Sequence, residues 1–75
     1  MSEWIDNNNV VVFSETTCPF CKKVKDAFKS KRIEFVSVEL NTIGDEGLKI
    51  QDELAILTGQ KTVPNVFIRG KHIGN

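Results

Sequence analysis

The sequence predicts an α/β domain: a four-stranded mixed sheet with helices on both faces. Three observations carry this. Val10-Val11-Val12-Phe13 is apolar on both sides, as a covered central strand should be, and it leads into a lysine-rich amphipathic segment. A second β-branched run, Ile33 to Leu40, follows that segment, so the two strands should be parallel and joined by a right-handed crossover. Beyond a second helical stretch, two short apolar runs flank Arg69-Gly70-Lys71 and read as an antiparallel hairpin. At 75 residues the chain is a single domain, residues 1–75, in the size range where one core is marginal.

Taken in order, Ser2 to Asp6 reads as a short helix with Trp4 and Ile5 packing on the body, and Asn7-Asn8-Asn9 as a turn. Val10 to Ser14 is the first strand, and Glu15-Thr16-Thr17 turns it into a helix from Cys18 or Pro19 to Lys31. Cys21, Val24, Ala27 and Phe28 recur at helical spacing and form one apolar stripe. Ile33 to Leu40 is the second strand and Asn41 to Gly44 a loop, with Thr42 or Asp45 capping a helix from Asp45 to Thr58. Its apolar face is Ile50, Leu54 and Leu57 with Leu48 alongside, and Gly59 suits a left-handed helix end. Asn65 to Arg69 is the third strand, and Lys71 to Ile73 begins the fourth.

Composition narrows the function. Ten basic residues balance ten acidic ones, which argues against a nucleic-acid surface. The charges are segregated: six basic residues lie from Lys22 to Arg32 and five acidic ones from Glu39 to Glu53. Two solvated helix faces account for this, and a basic face would also draw anionic substrates. No run is long enough to span a membrane. Met1-Ser2-Glu3-Trp4 lacks the basic region and apolar core of a secretion signal, so the expected setting for two cysteines is reducing and cytoplasmic.

Those two cysteines stand three apart in Thr17-Cys18-Pro19-Phe20-Cys21, where strand turns to helix. A cysteine at a helix start faces unpaired N–H groups and the positive end of the macrodipole, which favour a thiolate nucleophile. Lys22, Lys23 and Lys25 should act in the same direction. Pro19 fits the first helical position. Cys21 sits one turn on, beside Cys18 and on the apolar stripe, so Cys18 should be the attacking sulfur and Cys21 the shielded, resolving one. Half of a zinc site is a weaker reading, because Cys18, Cys21 and His72 fall short of four ligands and no metal is expected. Two inert buried cysteines are the other alternative.

Three motifs in order, Thr17-Cys18-Pro19-Phe20-Cys21, Thr62-Val63-Pro64 and Gly70-Lys71-His72-Ile73-Gly74, make the chain resemble a dithiol glutaredoxin over about Val10 to Gly74. Phe20 stands where the commonest dithiol form has tyrosine. The resemblance implies a thioredoxin-like fold, a cis peptide before Pro64, and glutathione as co-substrate. It implies that the Val63 backbone pairs with the glutathione peptide and that Gln51 and Lys61 hold its glycine carboxylate. Phe20, Thr62 and Pro64 complete that set, and His72 has no catalytic part. Many relatives carry lysine where this chain has Glu15, which should weaken glutathione contacts if the carboxylate points inward.

Relatives also continue past the matching Ile-Gly with a γ-glutamyl-binding segment and a final helix, whereas here Gly74-Asn75 is last. The resemblance therefore leads us to expect a chain lacking that helix, with an apolar sheet face left bare. Burying a Val or Phe is worth roughly 1.5–3 kcal/mol against a domain stability of about 5–15 kcal/mol. A marginal fold, or a partner chain covering that face, is the expectation. The implied function is glutathione-dependent thiol–disulfide oxidoreduction, acting on disulfide-bearing or glutathionylated proteins and linked to electron transport. The alternatives are a non-catalytic fragment and a dimer that holds a [2Fe–2S] cluster through the first cysteine and glutathione.

Overall fold

The computed structural model describes residues 2–74. Its elements are α1 (Ser2–Asn7), β1 (Val10–Ser14), α2 (Pro19–Ser30), β2 (Val36–Glu39), a 3₁₀ turn (Leu40–Thr42), α3 (Asp45–Thr58), β3 (Asn65–Ile68) and β4 (Lys71–Gly74). The strands lie in the order β2-β1-β3-β4. β1 pairs parallel with β2 and antiparallel with β3, and β3 pairs antiparallel with β4, so the sheet is mixed as predicted. β1 is central and every residue of it is buried, which explains its unbroken apolar run.

Strand alternation divides the sheet into two faces. Val11, Phe13, Val38 and Phe67 point to one side and pack with Ile50 and Leu54 of α3, joined by Ile5 of α1 and by Leu40. Phe13 and Phe67 meet edge to face, with centroids 5.9 Å apart. Val12 and Ser14 point to the other side, toward α2.

Five expectations need correction. Trp4 is covered only in part, at 40% exposure, and Ile5 is the buried residue of α1. β2 is shorter than Ile33 to Leu40. The end of α2 takes the first residues: Arg32 adopts φ 58° and the Ile33 N–H donates to the Phe28 carbonyl at 2.9 Å. Leu40 turns into the 3₁₀ segment at the other end. Neither Thr42 nor Asp45 caps α3. Its N-cap is Gly44 at φ 60°, and the Thr42 hydroxyl donates instead to the Glu39 carbonyl. Gly59 closes the helix at φ 76° as expected.

The buried face of α3 is also displaced. Leu48 and Leu57 are 63% and 61% exposed, and Gly47 joins Ile50 and Leu54 instead. Gly47 lets the helix approach the Leu40 backbone so closely that an added Cβ would overlap the Leu40 carbonyl oxygen. On α2, finally, only Cys21 of the apolar stripe is fully buried; Val24 and Phe28 are half-buried and Ala27 is exposed. Val10, Val12 and Val66 beneath it are buried nonetheless. By alternation from His72, whose ring packs on Phe67, Ile73 of β4 faces the α2 side, and it is 52% exposed. No helix among the described residues is long and apolar enough to cross a membrane.

Candidate active site

The first turn of α2 is built around Cys18. Its extended backbone (φ −91°, ψ 114°) makes it the N-cap, with Pro19 just inside the helix where a missing N–H costs nothing. The Cys21 N–H donates to Cys18 Sγ at 3.2 Å. The Cys18 N–H donates to the Glu15 carbonyl at 3.1 Å, which closes the strand-to-helix turn. Cys18 is half-buried at the tip of the helix and Cys21 is 0% exposed. The expected division between a reachable and a shielded sulfur holds. Burial pushes the Cys21 thiol above its ordinary value, helped by its hydrogen bond with Cys18; the Glu15 backbone and the Ser14 hydroxyl oppose the rise.

The three lysines do not act together on the thiols. Lys25 is committed to Glu39, with Nζ to Oε1 at 2.8 Å. Lys23 Nζ lies over the Phe20 ring, 5.4 Å from its centroid, and Lys22 is exposed.

The other predicted residues fall into two linked groups. The Val63–Pro64 peptide is cis. The Val63 carbonyl oxygen lies 4.0 Å from Cys18 Sγ. Val63 and Pro64, with Phe20, Lys23 and Val24, line a mainly apolar hollow of about 290 Å³. Phe20 forms its open wall at 65% exposure. In the second group, Gln51 Nε2 donates to the Lys61 carbonyl at 3.1 Å. The Lys61 side chain reaches Asp52 at 3.4 Å, an exposed pair of little energetic weight. Thr62 is exposed, and its carbonyl accepts from Gln60 Nε2 at 3.0 Å. Glu15 joins the groups: its carbonyl holds Cys18, and its residue lines a hollow with Gln51.

Several residues at the site escaped the sequence reading. Gln60 Nε2 also donates to the Pro64 carbonyl at 3.0 Å, so one side chain braces both ends of the cis segment. Beneath Cys21, Glu39 gathers Lys25, Ser14 (3.0 Å) and Ser37 (2.7 Å). Burial works to raise the Glu39 carboxyl, but these donors outweigh it and hold the group below its ordinary value. A signal for Ser14 was available, since a polar residue ends an otherwise apolar, covered strand. Among the described residues, no cluster of three or more His, Cys, Asp or Glu side chains is placed to hold a metal ion.

An N-capping thiol over a buried one, facing a cis-proline loop on a four-stranded mixed sheet, defines the thioredoxin-like class of thiol proteins. Residues 10–73 match the Glutaredoxin family. Glutaredoxin-C2 of Arabidopsis thaliana is 51% identical over 72 residues, covering 96% of this chain and 64% of that protein. Monothiol glutaredoxin-S12, chloroplastic, of the same plant is 51% identical over 70 residues, covering 93% of this chain and 39% of that one. Among solved structures, a buckwheat glutaredoxin–glutathione complex superposes with TM-score 0.92 at 46% identity, covering 96% of this chain and 64% of the other. Wheat glutaredoxin gives TM-score 0.93 at 52% identity, with 97% and 68% covered. The chain belongs to the glutaredoxin family. It spans less than two thirds of the length of the two Arabidopsis relatives.

Proposed function

We propose that the chain is a glutathione-dependent thiol–disulfide oxidoreductase that reduces glutathione mixed disulfides and protein disulfides. The observation that carries this is the reachable Cys18 sulfur, capping α2 beside the shielded Cys21 and facing the Val63 carbonyl. The match to a relative crystallised with glutathione supports the choice of co-substrate.

On a glutathionylated protein, Cys18 thiolate attacks the glutathione sulfur. The protein thiolate leaves, and glutathione is carried on Cys18. A second glutathione thiolate then attacks that sulfur, frees Cys18 and departs as glutathione disulfide. On a protein disulfide, Cys18 forms a mixed disulfide with one substrate sulfur, and Cys21 displaces it to give the Cys18–Cys21 disulfide. Backbone groups of Val63, with Thr62 and Pro64, would pair with the glutathione peptide, Phe20 would wall it, and Gln51 and Lys61 would meet its glycine carboxylate. A reducing compartment, the cytoplasm in the first instance, is part of the proposal. So is a partner chain on the α2 side of the sheet, where Ile73 is exposed; a melting temperature unchanged between dilute and concentrated samples would count against that partner.

The test is glutathione-coupled reduction of a small mixed disulfide by this chain. Turnover should depend wholly on Cys18, vanish in Cys18→Ser and persist in Cys21→Ser. A folded wild-type chain that gives no turnover above the Cys18→Ser background would refute the reading and leave a non-catalytic domain.

A further inference from the structure

We propose that Ser14 is the positioning residue for the second chemical step: its hydroxyl stabilises the Cys21 thiolate, while Glu39 and Lys25 hold that hydroxyl in place. The inference rests on the oxidoreductase reading above and assigns a role to the polar cluster that the reading leaves unused.

The placement converges from three elements. Ser14 ends β1 with its side chain toward α2 and is 0% exposed. Parallel pairing sets it directly against Glu39 of β2, and Ser14 Oγ donates to Glu39 Oε1 at 3.0 Å. Lys25 follows Cys21 by four residues on α2, so both project from one helix face. Lys25 reaches the same Glu39 oxygen at 2.8 Å, which places Cys21 over the Ser14–Glu39 pair. The Ser14 hydroxyl, which also has the Glu15 carbonyl at 3.5 Å, lies on the Cys21 side of β1 and works against the rise that burial imposes on the thiol. The side chains of Lys25 and Glu39 are only 20% and 22% exposed. A cluster of this kind is no more stabilising than apolar packing of the same volume. Its position under the resolving thiol gives it a purpose.

The step it serves needs a thiolate at a sulfur that is fully buried in the resting protein. With Cys18 held in a mixed disulfide, Cys21 gives up its proton to solvent. The Ser14 O–H, which in the resting protein has Glu39 and the Glu15 carbonyl as acceptors, turns to the new thiolate. Glu39 stays neutralised by Lys25 and Ser37. Cys21 Sγ then attacks Cys18 Sγ. The Cys18–Cys21 bond forms, the bond from Cys18 to the substrate sulfur breaks, and that sulfur leaves with the electron pair and takes a proton from solvent. The dithiol is oxidised and the substrate disulfide reduced. Besides Ser14, the groups facing Cys21 are Cys18 and the Glu15 backbone; those facing Glu39 are Lys25, Ser37 and Ser14.

An aromatic disulfide that releases a coloured thiolate, 5,5′-dithiobis(2-nitrobenzoate), separates the two steps. The first equivalent released reports Cys18 and the second reports Cys21. In Ser14→Ala the second release should slow about tenfold relative to the first at neutral pH, the size of one hydrogen bond to a charged group. The pH at which its rate is half-maximal should move upward. Ser14→Thr should restore the ratio, and its isostere Ser14→Val should not; this pair reads the hydroxyl even where Ser14→Ala folds poorly. An unchanged ratio and pH midpoint in Ser14→Ala, or equal behaviour of the Thr and Val variants, would overturn the proposal. A wild-type chain that fails to release the first equivalent would instead overturn the oxidoreductase reading beneath it.

Discussion

The two faces of the sheet are built from the same strands and do different work. Toward α3, β1 presents Val11 and Phe13, and the layer they enter is apolar throughout: Ile5, Val38, Leu40, Ile50, Leu54 and Phe67. Toward α2, the same strand presents Val12 and then Ser14, and the layer turns polar where it reaches the cysteines, with Glu39 and Lys25 joined across it. Alternation lets one strand serve both, because successive side chains leave the pleat on opposite sides. The α3 face stabilises the domain by removing apolar surface from water. The α2 face gives up part of that gain to hold hydrogen-bonded groups at a helix start, where a sulfur can react.

Substitutions on the two faces should therefore separate stability from chemistry. The largest effect is expected at Phe13→Ala, which should cost about 3–5 kcal/mol in urea unfolding and leave the activity per folded molecule intact. A cost no greater than that of Ser14→Ala would erase the distinction between the faces. Next comes Gly47→Ala. Its new Cβ would enter the space of the Leu40 carbonyl, so α3 must shift, at about 1–3 kcal/mol. A neutral result would show that α3 sits less closely than described.

On the α2 face the energies are smaller and depend on pH. A double-mutant cycle between Lys25→Met and Glu39→Gln should give a coupling of about 1 kcal/mol. The Glu39 carboxyl is held below its ordinary value in the folded state, so the fold binds that proton less readily than the unfolded chain does. The stability it lends is complete above the ordinary carboxylate range and is lost as pH falls through the lowered folded value. Glu39→Gln should accordingly flatten the acid limb of a stability-versus-pH curve. A limb of unchanged slope would mean the carboxylate contributes nothing. The smallest effect is expected at Glu15→Lys. Adding a cation beside Gln51 should lower the KM for a glutathione mixed disulfide by about two- to fivefold, the scale of one exposed ion pair. A raised KM would show that the carboxylate does not oppose glutathione there.

Local pattern was enough to read β1, the start of α2, the span of α3 and the β3–β4 hairpin, because each is encoded by neighbouring residues. Period-2 and period-3.6 spacing, Pro19 at a helix start, Gly59 at a helix end and Gly70 in the turn all act within a few positions of themselves. The contrast between a half-buried Cys18 and a buried Cys21 followed in the same way, since the two are one helical turn apart. Tertiary structure alone decided which face of α3 is buried, because that depends on how near Gly47 comes to a carbonyl in another element. It also decided the fate of Lys25, drawn from the thiols to Glu39, and the meeting of Ser14 with Glu39, 25 residues away in sequence. Such pairings arise from strand register and helix placement, which short-range spacing does not specify. That is why the sequence disclosed the two sulfurs and only the fold disclosed what lies beneath them.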